Sequence, residues 1–404
     1  MTSADKTNAE RPSVLYCPVG RTFEPCDLKE LLPIQEHLAR NEKISDITQF
    51  PRGTHLPDGR LDLCKQAIGP AGIQLLSDAV STNSQTQHLL LGANGLLDEG
   101  AKAVAAIAES NRQLQTIYLG CNLIESEGVS ALATALRDSE YITGLWLKRN
   151  PIGPEGARAL AGMLAGNTVL RTLDLVHTNI GFTGLEQLVD VLVHQNCTLK
   201  RLYLGGNGFG AKEAGLLRRL IADNKAIHSL LLGVNRLGDA GVETLCESLA
   251  LNSSLRTLGL ACNQIGSHGA WKLAEVLQQN STLQSLELGY DKSAPVLGEK
   301  CNELGDSGAA AIAELLSVNR SLRGLDLRCN GIGPRGASLI ADALETNHRL
   351  ISLQIGKGIT ASVKRRLDAL IERNRASSLT DPASDVWQGT DRQDIEAIRS
   401  VYRS

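Results

Sequence analysis

The side chains best suited to chemistry in this chain are its eight histidines and nine cysteines, and their spacing assembles no site. The histidines are scattered. None forms an HExxH pair or stands at ligand spacing from a cysteine, as a zinc site requires. There is no CxxC, no GxSxG and no phosphate-binding loop. Gly206, Gly208 and Ala211 do form a GxGxxA pattern between a strand-like and a helix-like segment. A dinucleotide loop uses that pattern to bring backbone amides close to a pyrophosphate, but it also needs a downstream acidic partner in a βαβ unit. Here the pattern is a glycine-heavy copy of a turn that recurs along the chain. Cys121, Cys262, Cys301 and Cys329 each precede an Asn at one recurring position, which points to packing rather than redox or metal chemistry. An odd cysteine count without CxxC reads as reduced thiols in a reducing compartment, hence a cytoplasmic protein. The expectation is a chain with no metal, no cofactor and no enzymatic activity.

The residues that do concentrate are aromatic. The chain holds only thirteen Phe, Trp and Tyr, yet Tyr118, Trp146 and Tyr203 fall in one column of adjacent sequence units, with Asp174 in the same column. Lys148, Arg149, Val176 and His177 stand beside them. Trp, Tyr and Arg are the types enriched where interfaces concentrate their binding energy. Exposed on the open face of a sheet, these side chains would mark a partner-binding patch. A second candidate is Tyr290, in an insertion over residues 290–301.

The elements that must position these residues repeat. The line Leu145-Trp-Leu-Lys-Arg-Asn150-Pro-Ile-Gly153 recurs as LxLxxNxIG, and Asn94, Asn122, Asn150, Asn235, Asn263 and Asn330 are among the residues at its Asn position. Eleven units follow a step of 28 residues, apart from one step of 29 and one of 39. In LxL, alternation puts both leucines on one face of a short strand and the residue between them on the other. The Asn follows where the chain turns inward, and its amide can pair with buried backbone donors and acceptors. A helix comes next, as over residues 157–165, with Leu160 and Leu164 on its inner face. A second Asn, such as Asn83, Asn111 or Asn167, closes most helices, and the left-handed conformation that Asn tolerates is the expected terminator. Such a unit cannot bury its apolar face alone, so the units must stack.

This pattern resembles the ribonuclease-inhibitor class of leucine-rich repeats, which also includes the Ran GTPase-activating protein and the sensor domains of NOD-like receptors. The resemblance spans residues 57–375. It implies an α/β leucine-rich-repeat solenoid, a horseshoe of about eleven 28-residue units with a parallel sheet on the concave face and helices on the convex face. It also implies a protein-binding scaffold. Among its relatives it admits a GTPase-activator-like regulator of a small GTPase, or an effector aimed at host proteins, but no activator residue is carried over to a position here.

The ends depart from the repeat. Residues 1–56 read as a tail and a degenerate capping unit, with a helix over 27–40 that turns Leu28, Leu31, Leu32 and Leu38 inward. Residues 376–404 read as a linker followed by a short helix with Ile395, Ile398 and Tyr402 on one side, either docked back on the last repeat or bound to a partner. The net charge of −3 gives no electrostatic footprint for nucleic acid or an anionic membrane. No window is apolar enough to span a bilayer, and the polar start does not read as a secretory leader. The partner expected is therefore a protein, a small GTPase among the candidates, bound by a monomer.

Overall fold

The computed structural model describes residues 23–378 and 392–402. Each LxL stretch lies in or at the end of a strand of three or four residues, such as Gly144–Trp146 and Gly324–Leu327. Among the described residues thirteen strands line up in strict sequence order. From Arg60–Asp62 onward neighbours are parallel and in register, so that Leu145 stands opposite Leu173 and Trp146 opposite Asp174. The first two strands, Thr48–Gln49 and Thr54–His55, pair antiparallel, and the second joins Arg60–Asp62 antiparallel as well. The parallel array is thus entered through a hairpin.

Between strands run helices such as Gly153–Gly166 and Gly181–His194, each packed on the helix of the next unit. Helices pack 8–10 Å apart but strands only about 4.8 Å, so the stack curves with its sheet on the inner, concave side. The expected α/β leucine-rich-repeat solenoid is the observed fold. One apolar core runs through it from Leu31 to Ile371. No helix among the described residues is long and apolar enough to cross a membrane.

Two asparagine ladders hold the stack. Asn150 is fully buried. Its Nδ2 donates to the carbonyls of Leu119 (2.9 Å) and Leu147 (2.8 Å), while its Oδ1 accepts from Asn122 N (2.9 Å) and Ile124 N (3.1 Å). One side chain therefore satisfies backbone groups of two units, in a place where unpaired groups would cost heavily. The helix-closing asparagines do not use the left-handed conformation expected of them. Asn83, Asn111 and Asn167 are extended, with φ of −75°, −85° and −75°. They work through their side chains: Asn111 Nδ2 donates to the Val80 carbonyl of the previous unit (2.7 Å), and its Oδ1 accepts from Gln113 N and Leu114 N. Asn41, at the end of the capping helix, is left-handed at φ 53°.

Three further corrections apply to the ends and the cysteines. In the capping helix Leu31, Ile34 and Leu38 are buried, whereas Leu28 and Leu32 are exposed, because a short 3-10 turn over Leu28–Leu31 shifts the face before the α-helix begins at Leu32. The last solenoid helix runs over Ala361–Ser378, past the expected boundary at 375. Cys301 and Cys329 are disulfide-bonded, not free thiols. They hold the same position in consecutive units, and in-register parallel stacking leaves their Cα atoms 5.9 Å apart.

Candidate binding face of the sheet

The residue between the two leucines of each strand points away from the core, and register turns these positions into a row across the concave face. Tyr118 pairs with Trp146, Trp146 with Asp174, and Asp174 with Tyr203. Four of the expected site residues are therefore brought together. Their neighbours join them from the turns that follow the strands. The Lys148 ammonium lies 5.6 Å from the centre of the Tyr118 ring, within cation–π range. His177 lies against Gly206, where any added Cβ would collide with the imidazole. Glycine is required there twice over, since Gly206 also has φ +68°. The GxGxxA pattern is thus the repeat's own turn: Asn207 within it is a ladder residue, and Gly210 N is capped by the Glu213 carboxylate (2.8 Å).

The expectation that these aromatics are exposed is wrong. Tyr118, Trp146 and Tyr203 are 4%, 2% and 8% exposed, and Asp174 and His177 are buried too. Part of the cover comes from the sheet itself. The ring of Trp146 lies over the α-carbon of Gly144, and that of Tyr118 over Gly92 and Gly120, so missing side chains let the rings lie down. Over Tyr118 and Trp146 more cover comes from the C-terminal segment. It does not dock on the last unit, as one alternative supposed, but on the first ones. After a short helix over Arg392–Ala397, Ile398 enters an apolar cluster with Cys64, Leu90, Tyr118 and Trp146. Ser400 Oγ donates to Asp62 Oδ1 (3.1 Å), and Val401 N donates to Asp62 Oδ2 (2.6 Å). Tyr402 Oη pairs with Thr54 Oγ1 (2.6 Å), and the Arg60 guanidinium donates to the Arg399 carbonyl. Of the apolar side chains expected on one side of this segment, Ile398 is buried and Ile395 is half exposed. The linker proper, residues 379–391, lies outside the described residues.

Asp62 and Leu90 complete the cluster beneath the segment. The repeat places both in the same column as Trp146, but neither is aromatic and neither was expected among the binding residues. The register sets Asp62 beside Leu90 and Leu90 beside Tyr118.

Tyr290 is not part of this cluster. It lines a separate 320 Å³ cleft at the other end of the face, with Glu287, Asp291, Asp326 and Arg328. Arg328 holds Asp326 in an ion pair at 2.6 Å. Burial, reinforced by the carboxylates of Asp326 and Asp291, pushes the Glu287 carboxyl up to about 7. The insertion folds over the turns of the preceding units: Ala294 and Leu297 pack on Val234 and Cys262, and Glu299 pairs with Arg236 at 2.6 Å.

Comparison with known families finds the repeat in six stretches of the chain. Residues 110–133, 140–161, 166–189, 195–212, 251–274 and 318–341 match the family described as Leucine Rich repeat. No curated protein matches the chain. Among solved structures it is similar to the yeast Rad7 and Elc1 complex, at 16% identity and a TM-score of 0.46, over 85% of this chain and 81% of that one. It is also similar to the actin-binding site 2 of leiomodin-1, at 24% identity and a TM-score of 0.30, over 34% of this chain and 74% of that one. A third is the tropomodulin C-terminal domain of Caenorhabditis elegans, at 16% identity and a TM-score of 0.32, over 48% of this chain and 94% of that one.

Proposed function

We propose that the chain is a protein-binding scaffold that takes its partner on the concave sheet face, with residues 57–375 as the scaffold, 1–56 as its cap and 376–404 as an appended segment. A leucine-rich-repeat solenoid is an architecture typical of such scaffolds. The repeat motif favours the ribonuclease-inhibitor class within it, and the nearly even 28-residue step is closer to that class's receptor-sensor and GTPase-activator types than to ribonuclease inhibitor itself. The observation that carries the reading is the row Leu90, Tyr118 and Trp146, flanked by the Asp62 carboxylate: a sheet face built to hold a peptide segment and already holding one. Apolar groups at the centre with polar groups at the edge is the anatomy of a protein interface. Arg149 and Lys148 stand beside that row, half buried.

The test is charge reversal on the full chain. Once a partner is isolated by affinity purification, Lys148→Glu with Arg149→Glu should weaken its binding at least tenfold, while Arg158→Glu, exposed on a convex helix, should not. Equal binding by both variants would place the partner elsewhere. Multiple-turnover GTP hydrolysis by purified small GTPases, with and without the chain, tests the regulator reading; acceleration would replace scaffold by activator. As to location, the odd count of nine cysteines with no CxxC pair favours the cytoplasm, and the Cys301–Cys329 bridge argues against it.

A further inference from the structure

The segment on the concave face is held by an uneven set of contacts. On the inner side it offers one apolar side chain, Ile398, to the cup of Leu90, Tyr118 and Trp146. Beyond that it offers polar groups in fixed order: a hydroxyl from Ser400 and a main-chain N–H from Val401, both to Asp62, and the phenol of Tyr402 to Thr54. Its outer side is exposed, with no cover among the described residues. Ile395 and Val401 are 48% and 52% exposed, and Glu396 and Arg399 are exposed as well. A segment one layer thick, with Ile398 its one buried apolar side chain and Ser400 its one buried polar one, makes few contacts that would have to break together. Such segments open at far lower free energy than the solenoid beneath them. The cup they leave would present two aromatic rings beside a carboxylate.

We propose that this face is a peptide-docking site closed in cis by residues 395–402, and that in its open form it accepts from a partner a peptide of the same chemistry: an aliphatic side chain for the Trp146 cup, a hydroxyl two residues later with its following N–H for Asp62, and a Tyr for Thr54. The inference rests on the concave-face reading above and adds a built-in competitor to it. A tethered occupant acts at an effective concentration in the millimolar range, so a free peptide of micromolar affinity binds only when the tether's own segment is disabled.

The experiment uses the full chain in a Trp271→Phe, Trp387→Phe background, which leaves Trp146 as the single tryptophan. Acrylamide quenching then reads the cover over the cup. Ile398→Asp and, separately, Val401→Pro alter the segment alone and leave the solenoid intact, which unchanged far-ultraviolet circular dichroism verifies. Both should raise quenching of Trp146 several-fold. A synthetic peptide of residues 392–404 should restore the shielding of the Ile398→Asp chain and bind it at least tenfold tighter than it binds the unaltered chain. The same peptide carrying Ile398→Asp should do neither. Trp146 remaining shielded in both variants would overturn the proposal, as would peptide binding that is equal for open and unaltered chains. A concentration-dependent dimer that the Ile398→Asp change dissolves would also overturn it, since the segment would then occupy a neighbour's face. None of these readouts involves the partner, so failure here is separate from failure of the scaffold reading, which the charge reversals test.

Discussion

Truncating Trp146 and Ile398 one at a time and together measures whether the two side chains hold the C-terminal segment down. An exposed Trp146 would tolerate alanine with no loss of stability, and that was the expectation from sequence. The buried ring behaves otherwise. Large aromatic-to-alanine changes in a core cost about 3–5 kcal/mol, and the low end applies here because the segment can settle into the space left on an open face. Ile398 is 6% exposed, and burying such a side chain is worth about 1.5–3 kcal/mol. Taking about 2 kcal/mol for Ile398→Ala, the segment should lift about 30-fold more often, at 1.4 kcal/mol per factor of ten. The natural reporter is the Val401 amide, whose hydrogen bond to Asp62 at 2.6 Å exists only while the segment is seated. Native-state hydrogen exchange at that amide should accelerate about 30-fold in Ile398→Ala. Because the two side chains share one cluster, the double variant should fall short of the sum by about 1 kcal/mol. Exchange at Val401 that neither change accelerates, or effects that add to within about 0.4 kcal/mol, would refute the reasoning.

Three further outcomes follow from the ladder and the buried histidines. Asn150→Ala strips partners from Asn122 N, Ile124 N and the Leu147 carbonyl, and at about 1 kcal/mol or more for each group left unsatisfied it should cost about 3 kcal/mol in urea unfolding. Thr178 sits at the same position, fully buried, and its hydroxyl donates to the Leu175 carbonyl (2.7 Å). Thr178→Asn should therefore stabilise, and a loss below about 1 kcal/mol for Asn150→Ala would remove the ladder from the account. Burial pushes both His55 and His177 down to about 4, with His37 adding to the effect at His55 and Arg149 at His177. The fold holds both rings neutral while the unfolded chain protonates them below its ordinary value near 6.5, so their stabilisation is complete above pH 6.5 and is lost as pH falls toward 4. Each contributes up to about 3 kcal/mol. His177→Gln should flatten the acid limb of Tm against pH; an unchanged limb would mean that His177 does not report burial.

How much was legible without coordinates depended on whether a feature repeats. The strand triplets, the ladder Asn and the inward leucines recur every 28 residues, so one unit explained the next and the solenoid could be read directly. Features that are used once were read less well. Leu28 and Leu32 were expected inside because helical spacing alone cannot show that the first turn is 3-10. The helix-closing asparagines were expected to act through their backbones, since a bridge to the previous unit's carbonyl is invisible along one chain.

The aromatic column marks the boundary most clearly. Sequence by itself determined that Tyr118, Trp146, Asp174 and Tyr203 share one face, because alternation within a strand and a constant step between strands leave no other arrangement. It could not determine whether that face is open. That depended on a contact between Asp62 and Val401 across a separation of 339 residues, and on glycines at 92, 120 and 144 that let the rings lie flat. Local periodicity carries no information about which distant segment returns to which strand, so only the tertiary structure decided that residues 398–402 lie over this face at Tyr118 and Trp146.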